Sequence, residues 1–215
     1  MPRITDERRE ARREQILEAA RACLQEHGLE AVSMEMIIVR SGLSTGAVYG
    51  YFKGKDQIIN AVVTDGMAAM AEDLAPVLTN PEPPAFPKFV EQVLRTATAF
   101  GRHKKGDIDR LLVSLHGWSH SQSDPELKAV TRASYSGLRK LFADAVRRSQ
   151  ALGTFDATAD PEAMGELLTS ITLGFVAQRA LAGSAHVAAH VAALETLSHV
   201  SSADTMRRPF SRSDV

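Results

Sequence analysis

The segment 45–47 has the residue types of a surface that could lie against nucleic-acid bases. Thr45, Gly46 and Ala47 follow one another, and residues this small allow a backbone to approach base edges closely. The Thr45 hydroxyl can form a hydrogen bond, and its methyl group and that of Ala47 can contact the methyl group of thymine. We therefore interpret 45–47 as a candidate base-contacting segment.

Residues around this segment could bind phosphate groups. Tyr49 and Tyr51 carry hydroxyls suited to phosphate oxygens. Lys55 lies at the predicted N-terminus of a helix, where its charge and the free amides would form an anion site. The candidate DNA-binding residues are Ser33, Met34, Ser44, Thr45, Gly46, Ala47, Tyr49, Tyr51 and Lys55.

Two short helices joined by a turn would position these residues. Ser33 and Ser44 are suited to cap helices over 34–40 and 45–50, and Gly42 lies in the turn between them. A second helix presented in this way fits a major groove about 12 Å wide. This spacing predicts a helix-turn-helix.

An earlier amphipathic helix would support the pair. Residues 6–27 carry an apolar stripe, onto which we expect Val48 and Phe52 to face back. That stripe consists of Ile16, Leu17, Ala20, Cys23 and Leu24.

The run from Ser33 to Asp56 resembles the DNA-binding domain of the TetR family of bacterial transcriptional regulators. The family pattern is a Ser/Thr cap, an Ile-Ala pair, Ala-Gly-Val-Ser and a Leu/Val-Tyr-x-Tyr/His-Phe-x-x-Lys-Glu ending. Here it reads Ser33, Ile37-Ile38, Ser41-Gly42-Leu43-Ser44 and Val48-Tyr49-Gly50-Tyr51-Phe52-Lys53-Gly54-Lys55-Asp56. The resemblance covers residues 10–60 and implies an all-α protein that binds a palindromic operator in double-stranded DNA as a homodimer.

Two residues depart from that pattern. Ile38 stands where the family usually has Ala, and Gly50 replaces a larger residue in the recognition helix. Gly50 costs about 1 kcal/mol of helix propensity and removes one possible DNA contact. A module that binds protein instead of DNA is the alternative that Gly50 favours, and a Tyr-x-Tyr-Phe cluster can also be plain core.

The basic N-terminus has two interpretations. Arg3, Arg8, Arg9, Arg12 and Arg13 could form an arm that reaches phosphates or a minor groove. The same residues could equally be the solvated face of a helix.

Composition limits the class of protein. Of 215 residues, 25 are Lys or Arg and 26 are Asp or Glu, so the formal net charge of −1 argues against a protein that coats nucleic acid. The single Cys23 excludes an internal disulfide and a cysteine-based zinc cage. We expect no membrane span, no secretory signal, and the cytoplasm as compartment.

The remaining pattern is helical throughout, with a proline-rich connection over 76–87. We predict further helices at 54–76, 86–103, 107–121, 125–152, 161–182 and 185–200. The predicted division is an N-terminal three-helix DNA-binding domain over 1–53, an effector-binding and dimerisation bundle over 54–200, and a disordered tail over 201–215.

A pocket between the middle helices would bind a small hydrophobic effector, as the resemblance implies. The candidate ligand-binding residues are the aromatic and polar side chains Phe89, Phe100, His116, Trp118, Tyr135, Phe142 and Phe175. Each of them could instead be core. The pairs His116/His120 and His186/His190 have metal-ligand spacing but no third ligand in register, so we expect neither metal nor cofactor.

A helix that is apolar around most of its circumference must be buried on two sides. The helix at 161–182 has this pattern, and the one at 185–200 adds a stripe ending at Leu197 and Val200. Two such helices from each protomer would form an isologous four-helix interface; completing a monomeric core is the alternative.

The resemblance to the TetR family implies a repressor that a small hydrophobic effector releases from its operator. An enzyme built on a helical bundle is the rival from another class. No Ser/His/Asp arrangement or carboxylate-metal spacing in the sequence supports it.

Overall fold

The computed structural model describes residues 6–101, 110–183 and 186–204 of the chain. Over these ranges the chain forms nine helices and no strand, which confirms the all-α prediction. The helices are α1 (Asp6–Ala31), α2 (Met34–Ser41), α3 (Thr45–Tyr51), α4 (Lys55–Leu78), α5 (Phe86–Gly101), α6 (Arg110–His120), α7 (Pro125–Ala151), α8 (Pro161–Ala182) and α9 (Val187–Asp204).

A first core forms where the first four helices meet. Ile16 and Leu17 of α1, Ile37 of α2, Val48 of α3 and Ile58 of α4 are all fully buried in it. Because α3 has only seven residues, too few to be stable alone, its position depends on this packing.

A second core lies among the C-terminal helices. Leu74 of α4, Leu94 of α5, Phe142 of α7 and Phe175 of α8 are buried in it. The helices α7 and α8 approach closely at Gly165, where a Cβ would lie 2.6 Å from the Arg139 carbonyl oxygen. Only glycine permits this approach, so the two helices are held at short distance.

Several helix ends differ from the prediction. The helix α1 continues to Ala31 across a kink at Gly28, whose φ is 76°. Pro76 lies inside the last part of α4. Pro87 lies in the first turn of α5, and a proline is tolerated there because the first amides of a helix have no helical partner. The connection is therefore 79–85, shorter than predicted.

The end of α9 also differs. The helix reaches Asp204, four residues beyond the predicted end at 200; residues 201–204 contain no glycine or proline to stop a helix. Residues 205–215 lie outside the described part of the chain. Within that part, no helix is both long and apolar enough to cross a membrane.

Candidate nucleic-acid interface and ligand cavity

Two serine caps and one glycine define the turn between α2 and α3. The Ser33 hydroxyl accepts from the Met36 amide at 3.2 Å, and the Ser44 hydroxyl accepts from the Ala47 amide at 3.3 Å. Gly42 is left-handed (φ 66°) and its amide donates to the Val39 carbonyl at 3.2 Å. Both helices therefore start and stop where their capping groups require.

The short helix α3 has one anchored face and one open face. Val48 is fully buried and Phe52 is 7% exposed. Thr45 and Gly46 are exposed, and Tyr49 is 42% exposed. A buried face that fixes the helix and a small-residue face turned to solvent are what a major-groove reader needs.

Three of the predicted contact residues have other partners as well. Met34 and Tyr51 are half-buried and pack against the first core. The Lys55 ammonium donates to the Leu29 carbonyl at 3.4 Å, so it also links the start of α4 to the end of α1. Lys53, which is outside the predicted set, is exposed beside Tyr49; a basic residue directly after the Phe52 anchor is the signal that could have identified it.

The two departures from the family pattern are accommodated. Ile38 is half-buried against the first core. A Cβ added at Gly50 or at Gly46 would meet no atom within 4 Å. Packing within the chain therefore does not require glycine at either position.

The N-terminal arginines do not behave alike. Arg8 and Arg9 are exposed on α1, and Arg12 is half-buried. Arg13 instead donates to both carboxylate oxygens of Asp65 on α4, at 2.9 and 3.3 Å. Arg3 lies outside the described residues.

A cavity of about 600 Å³ lies between α4 and the C-terminal helices. Of the seven predicted ligand-binding residues, Phe100, Trp118 and Tyr135 line it. Its size falls within the range of about 300–1,000 Å³ that small-molecule sites occupy.

The other four predicted residues do not line this cavity. Phe89, Phe142 and Phe175 are buried in the second core, where the Phe89 and Phe142 rings meet edge to face at 6.3 Å. His116 lies near the kink of α1, its ring carbon 3.7 Å from the position of a Cβ on Gly28. Helical periodicity marks inward-facing residues but does not separate a cavity wall from a packed core.

The cavity also has a wall that the sequence analysis did not predict. The helix α4 contributes a continuous stretch from Val62 to Ala71, and α1 contributes Glu14 and Arg21. Arg21 is 7% exposed and donates to Glu14 and to Glu18, at 2.5 and 3.2 Å. An arginine on the apolar stripe of α1, three and seven residues after acids, was the available signal.

Two aromatic side chains add polar groups to a cavity whose wall is mainly apolar. The Trp118 and Tyr135 rings meet edge to face at 6.4 Å. Burial raises the pKa of the Tyr135 phenol to about 12, opposed by a hydrogen bond from Trp118. The phenol therefore stays protonated at neutral pH and can hydrogen-bond a ligand.

A polar junction holds α4 against the start of α7. The Asn60 amide donates to Asp124 at 2.7 Å, and the same carboxylate accepts from the Leu127 amide at 2.9 Å. These hydrogen bonds, that of Asn60 first, hold the pKa of Asp124 below its usual range. Across the described residues, no group of three or more His, Cys, Asp or Glu side chains could hold a metal ion.

One face of α8 is apolar and exposed. Leu167 is 49% exposed and Leu181 75% exposed, and the exposed Gly174 lies seven residues from each, so all three share a face. On α9, Val187 and Leu194 instead pack against the second core. The side chains of Leu197 and Val200 lie outside the part of the chain that the structure describes.

Two segments of the chain match known protein families. Residues 16–62 match the family described as bacterial regulatory proteins, tetR family. Residues 89–201 match the BetI-type transcriptional repressor, C-terminal family.

Individual relatives match different shares of the chain. The repressor AcnR of Corynebacterium diphtheriae is 35% identical over 75 residues, which are 35% of this chain and 40% of AcnR; the chain thus matches less than half the length of that relative. The regulator BetI of Burkholderia lata is 32% identical over 154 residues, covering 66% of this chain and 74% of BetI.

A solved structure shares both fold and moderate identity. SmeT is the repressor of the Stenotrophomonas maltophilia multidrug efflux pump SmeDEF. Its complex with triclosan superposes with a TM-score of 0.60 at 26% identity, over 79% of this chain and 80% of SmeT.

Proposed function

The chain belongs to the TetR family of bacterial regulatory proteins, and on that premise we propose that it is a dimeric repressor released from its operator by a small apolar effector. The observation that carries the proposal is α3: its Val48 face is buried while Thr45, Gly46 and Tyr49 face solvent. AcnR, which matches 35% of this chain, is itself named a repressor.

The DNA-binding unit comprises residues 1–53, and the contacts fall into two classes. Thr45, Gly46 and Ala47 contact base edges, while Tyr49 and Lys55 contact phosphates. Ser33 and Ser44 fix the two helices and present their amide ends to the backbone. The operator is palindromic because the two protomers are related by two-fold symmetry.

Residues 54–200 form the ligand-binding and dimerisation unit. The apolar face of α8 around Leu167 and Leu181 meets the same face of a second copy, since these two exposed leucines, fourteen residues apart on one face, are covered in such an interface. DNA binding requires this dimer to hold the two α3 helices about 34–36 Å apart, one turn of DNA, or a multiple of it. We place the regulator in the cytoplasm, where bacterial DNA is accessible.

The cavity binds the effector, and a shift of α4 on binding changes the position of α3. Its walls are apolar apart from a few polar groups such as Tyr135, and the related SmeT has been solved with triclosan. The helix α4 starts at Lys55, directly behind α3, and lines the cavity from Val62 onwards. A ligand that favours a tilted α4 changes the separation of the two α3 helices and so weakens DNA binding.

The proposal is tested by measuring binding to the DNA upstream of the chain's own gene at several salt concentrations. We expect a steep fall in affinity with salt and a palindromic, dimer-sized footprint. Thr45→Glu places a negative charge on α3 and should abolish the footprint, whereas Ala129→Glu, the same charge on an exposed position of α7, should preserve it. No footprint at low salt on any genomic fragment would contradict the proposal, as would turnover of a substrate that survives Tyr49→Ala.

A further inference from the structure

Arg13 and Asp65 form an ion pair between α1, which belongs to the DNA-binding unit, and α4, which lines the cavity. Both oxygens of the Asp65 carboxylate accept from the Arg13 guanidinium, at 2.9 and 3.3 Å. The two side chains are about one-third exposed, 30% for Arg13 and 33% for Asp65. The bidentate geometry fixes the direction of the contact as well as its length.

One member of this pair is also a wall of the cavity. Asp65 lines the cavity together with Thr64 and Gly66 of α4. Arg13, its partner, lies on α1 three residues before Ile16, which is fully buried in the first core. A group that enters the cavity therefore meets a residue whose carboxylate is hydrogen-bonded to α1 of the DNA-binding unit.

The helices α1 and α4 are joined by hydrogen bonds at two distant points. At one end Lys55 donates to the Leu29 carbonyl at 3.4 Å, and at the other end Arg13 donates to Asp65. Between these points Ile58 and Val62 of α4 are buried in the first core. While both contacts are formed, α4 cannot tilt away from α1 without breaking one of them.

We propose that a ligand in the cavity acts through Asp65, and that Arg13 is a positioning residue. Loss of the Arg13–Asp65 contact changes how α4 lies against α1 and thereby the position of α3. The arrangement with the pair formed is the one that binds DNA. A ligand that takes the Asp65 carboxylate breaks its contact with Arg13, which retains its contact with Glu10 on the same helix. The loss loosens α4 from α1 and lowers DNA affinity. This inference rests on the proposed function.

The chemistry of the carboxylate restricts the ligand. An ionised carboxylate only accepts hydrogen bonds, so a ligand group that replaces the guanidinium must donate them. The rest of the cavity wall around Asp65 is mainly apolar, including Val62, Met67 and Phe100. The ligand class is therefore an apolar molecule with a hydrogen-bond-donating end.

A double-mutant cycle on full-length protein tests the link to DNA. We expect Asp65→Asn and Arg13→Gln each to weaken binding to the upstream DNA about fivefold, within the usual range of coupling between sites. The double variant should lose no more than either single one, because both changes remove the same contact. Arg147→Ala, which breaks the exposed α7–α8 pair with Glu162, is the control and should bind as the wild type does.

The outcomes separate the two proposals. A wild type that binds no DNA overturns both. If the wild type binds DNA and the Asp65→Asn variant binds it with the same affinity, the ion-pair inference alone is overturned. Losses that add in the double variant also overturn it, because they would mean that Arg13 contacts DNA itself.

Two probes with the same tail test the ligand chemistry. Decylamine is protonated and donates hydrogen bonds at neutral pH, whereas decanoate only accepts them. Below their micellar concentrations, decylamine should weaken DNA binding by the wild type at least about fivefold and have no effect on Asp65→Asn, while decanoate should have little effect on either. A purely structural role for Asp65 would leave the decylamine effect unchanged in the variant. That result, or equal effects of the two probes, would overturn the inference.

Discussion

Side chains at helix starts set much of the local geometry of this protein. Ser33, Ser44, Asp124 and Asp160 each accept a hydrogen bond from an amide in the first turn of their helix. Such a cap contributes about 1 kcal/mol to stability. The two serines therefore fix where α2 and α3 begin and which side chains α3 turns to solvent.

At the residue scale, Thr45→Ala and Lys55→Ala should affect DNA binding differently. Loss of the Thr45 hydroxyl should lower affinity for the operator by about 1 kcal/mol and leave random DNA unaffected, because base contacts carry the specificity. Loss of Lys55 should weaken binding to both, since phosphates are the same in every sequence.

The measurement is the dissociation constant for operator and random fragments at one salt concentration. Lys128→Ala, which removes the same charge from an exposed position of α7, is the control and should change neither. Equal effects of the Thr45 variant on both fragments would contradict its assignment to base contact.

Asp124 should give the protein a pH-dependent share of its stability. Its pKa is lowered in the folded state, first by the Asn60 hydrogen bond, so the stabilisation is complete above the ordinary aspartate pKa of about 4 and is lost as the pH falls through the folded value. Asp124→Asn keeps a capping side chain but removes the charge. It should lower the melting temperature at neutral pH, and the difference should shrink under acid conditions.

A matched variant separates this effect from capping. Asp160→Asn makes the same change at the start of α8. The described hydrogen bond of the Asp160 carboxylate is accepted from the Glu162 amide of its own helix, so it does not link two helices as that of Asp124 does. Its effect should be the smaller of the two. A melting-temperature difference for Asp124→Asn that stays constant with pH would refute the role of the charge.

At the element scale, two glycines decide how closely helices pack. A Cβ on Gly117 of α6 would lie 2.6 Å from Val63 of α4, and one on Gly165 of α8 would lie 2.6 Å from the Arg139 carbonyl of α7. The first contact keeps α6 against the helix that forms the cavity wall. The separation of α4 and α6 is therefore set by the absence of one side chain.

We expect Gly117→Ala to destabilise the fold by about 1–3 kcal/mol, the usual cost of overpacking. Val63→Ala combined with it should recover part of that loss, because it removes the clashing methyl groups. Gly137→Ala on α7, where a Cβ meets nothing, should instead be neutral or stabilising by up to about 1 kcal/mol. Denaturant unfolding measures all three, and an unchanged midpoint for Gly117→Ala would contradict the packing argument.

At the scale of the whole molecule, the exposed face of α8 should decide the oligomeric state. Leu181→Glu would bury an unpaired carboxylate in the proposed interface and should weaken the dimer by more than about tenfold. Leu152→Glu is the control, since Leu152 is 50% exposed at the end of α7 and outside that face. Sedimentation should show monomers for the first variant only, and a Leu181→Glu dimer of unchanged affinity would exclude this face.

The sequence alone determined the features that depend on local chemistry. The caps at Ser33 and Ser44, the left-handed Gly42 and the Val48 and Phe52 anchors all lie within twenty residues of one another, and each follows from the hydrogen-bonding or steric needs of a single turn. The same reasoning placed α7 and α8 from Asp-Pro-Glu starts and predicted an all-α chain, which is confirmed.

Only the tertiary structure decided which inward-facing residues border empty space. Phe142 and Phe175 have the same pattern in the sequence as Phe100 and Trp118, yet the first pair fills the second core and the second pair lines the cavity. The difference arises from how six helices cross, which depends on contacts between residues far apart in the chain. The Arg13–Asp65 pair joins residues 52 positions apart, so no local pattern could have indicated that the first helix is bound to the wall of the cavity.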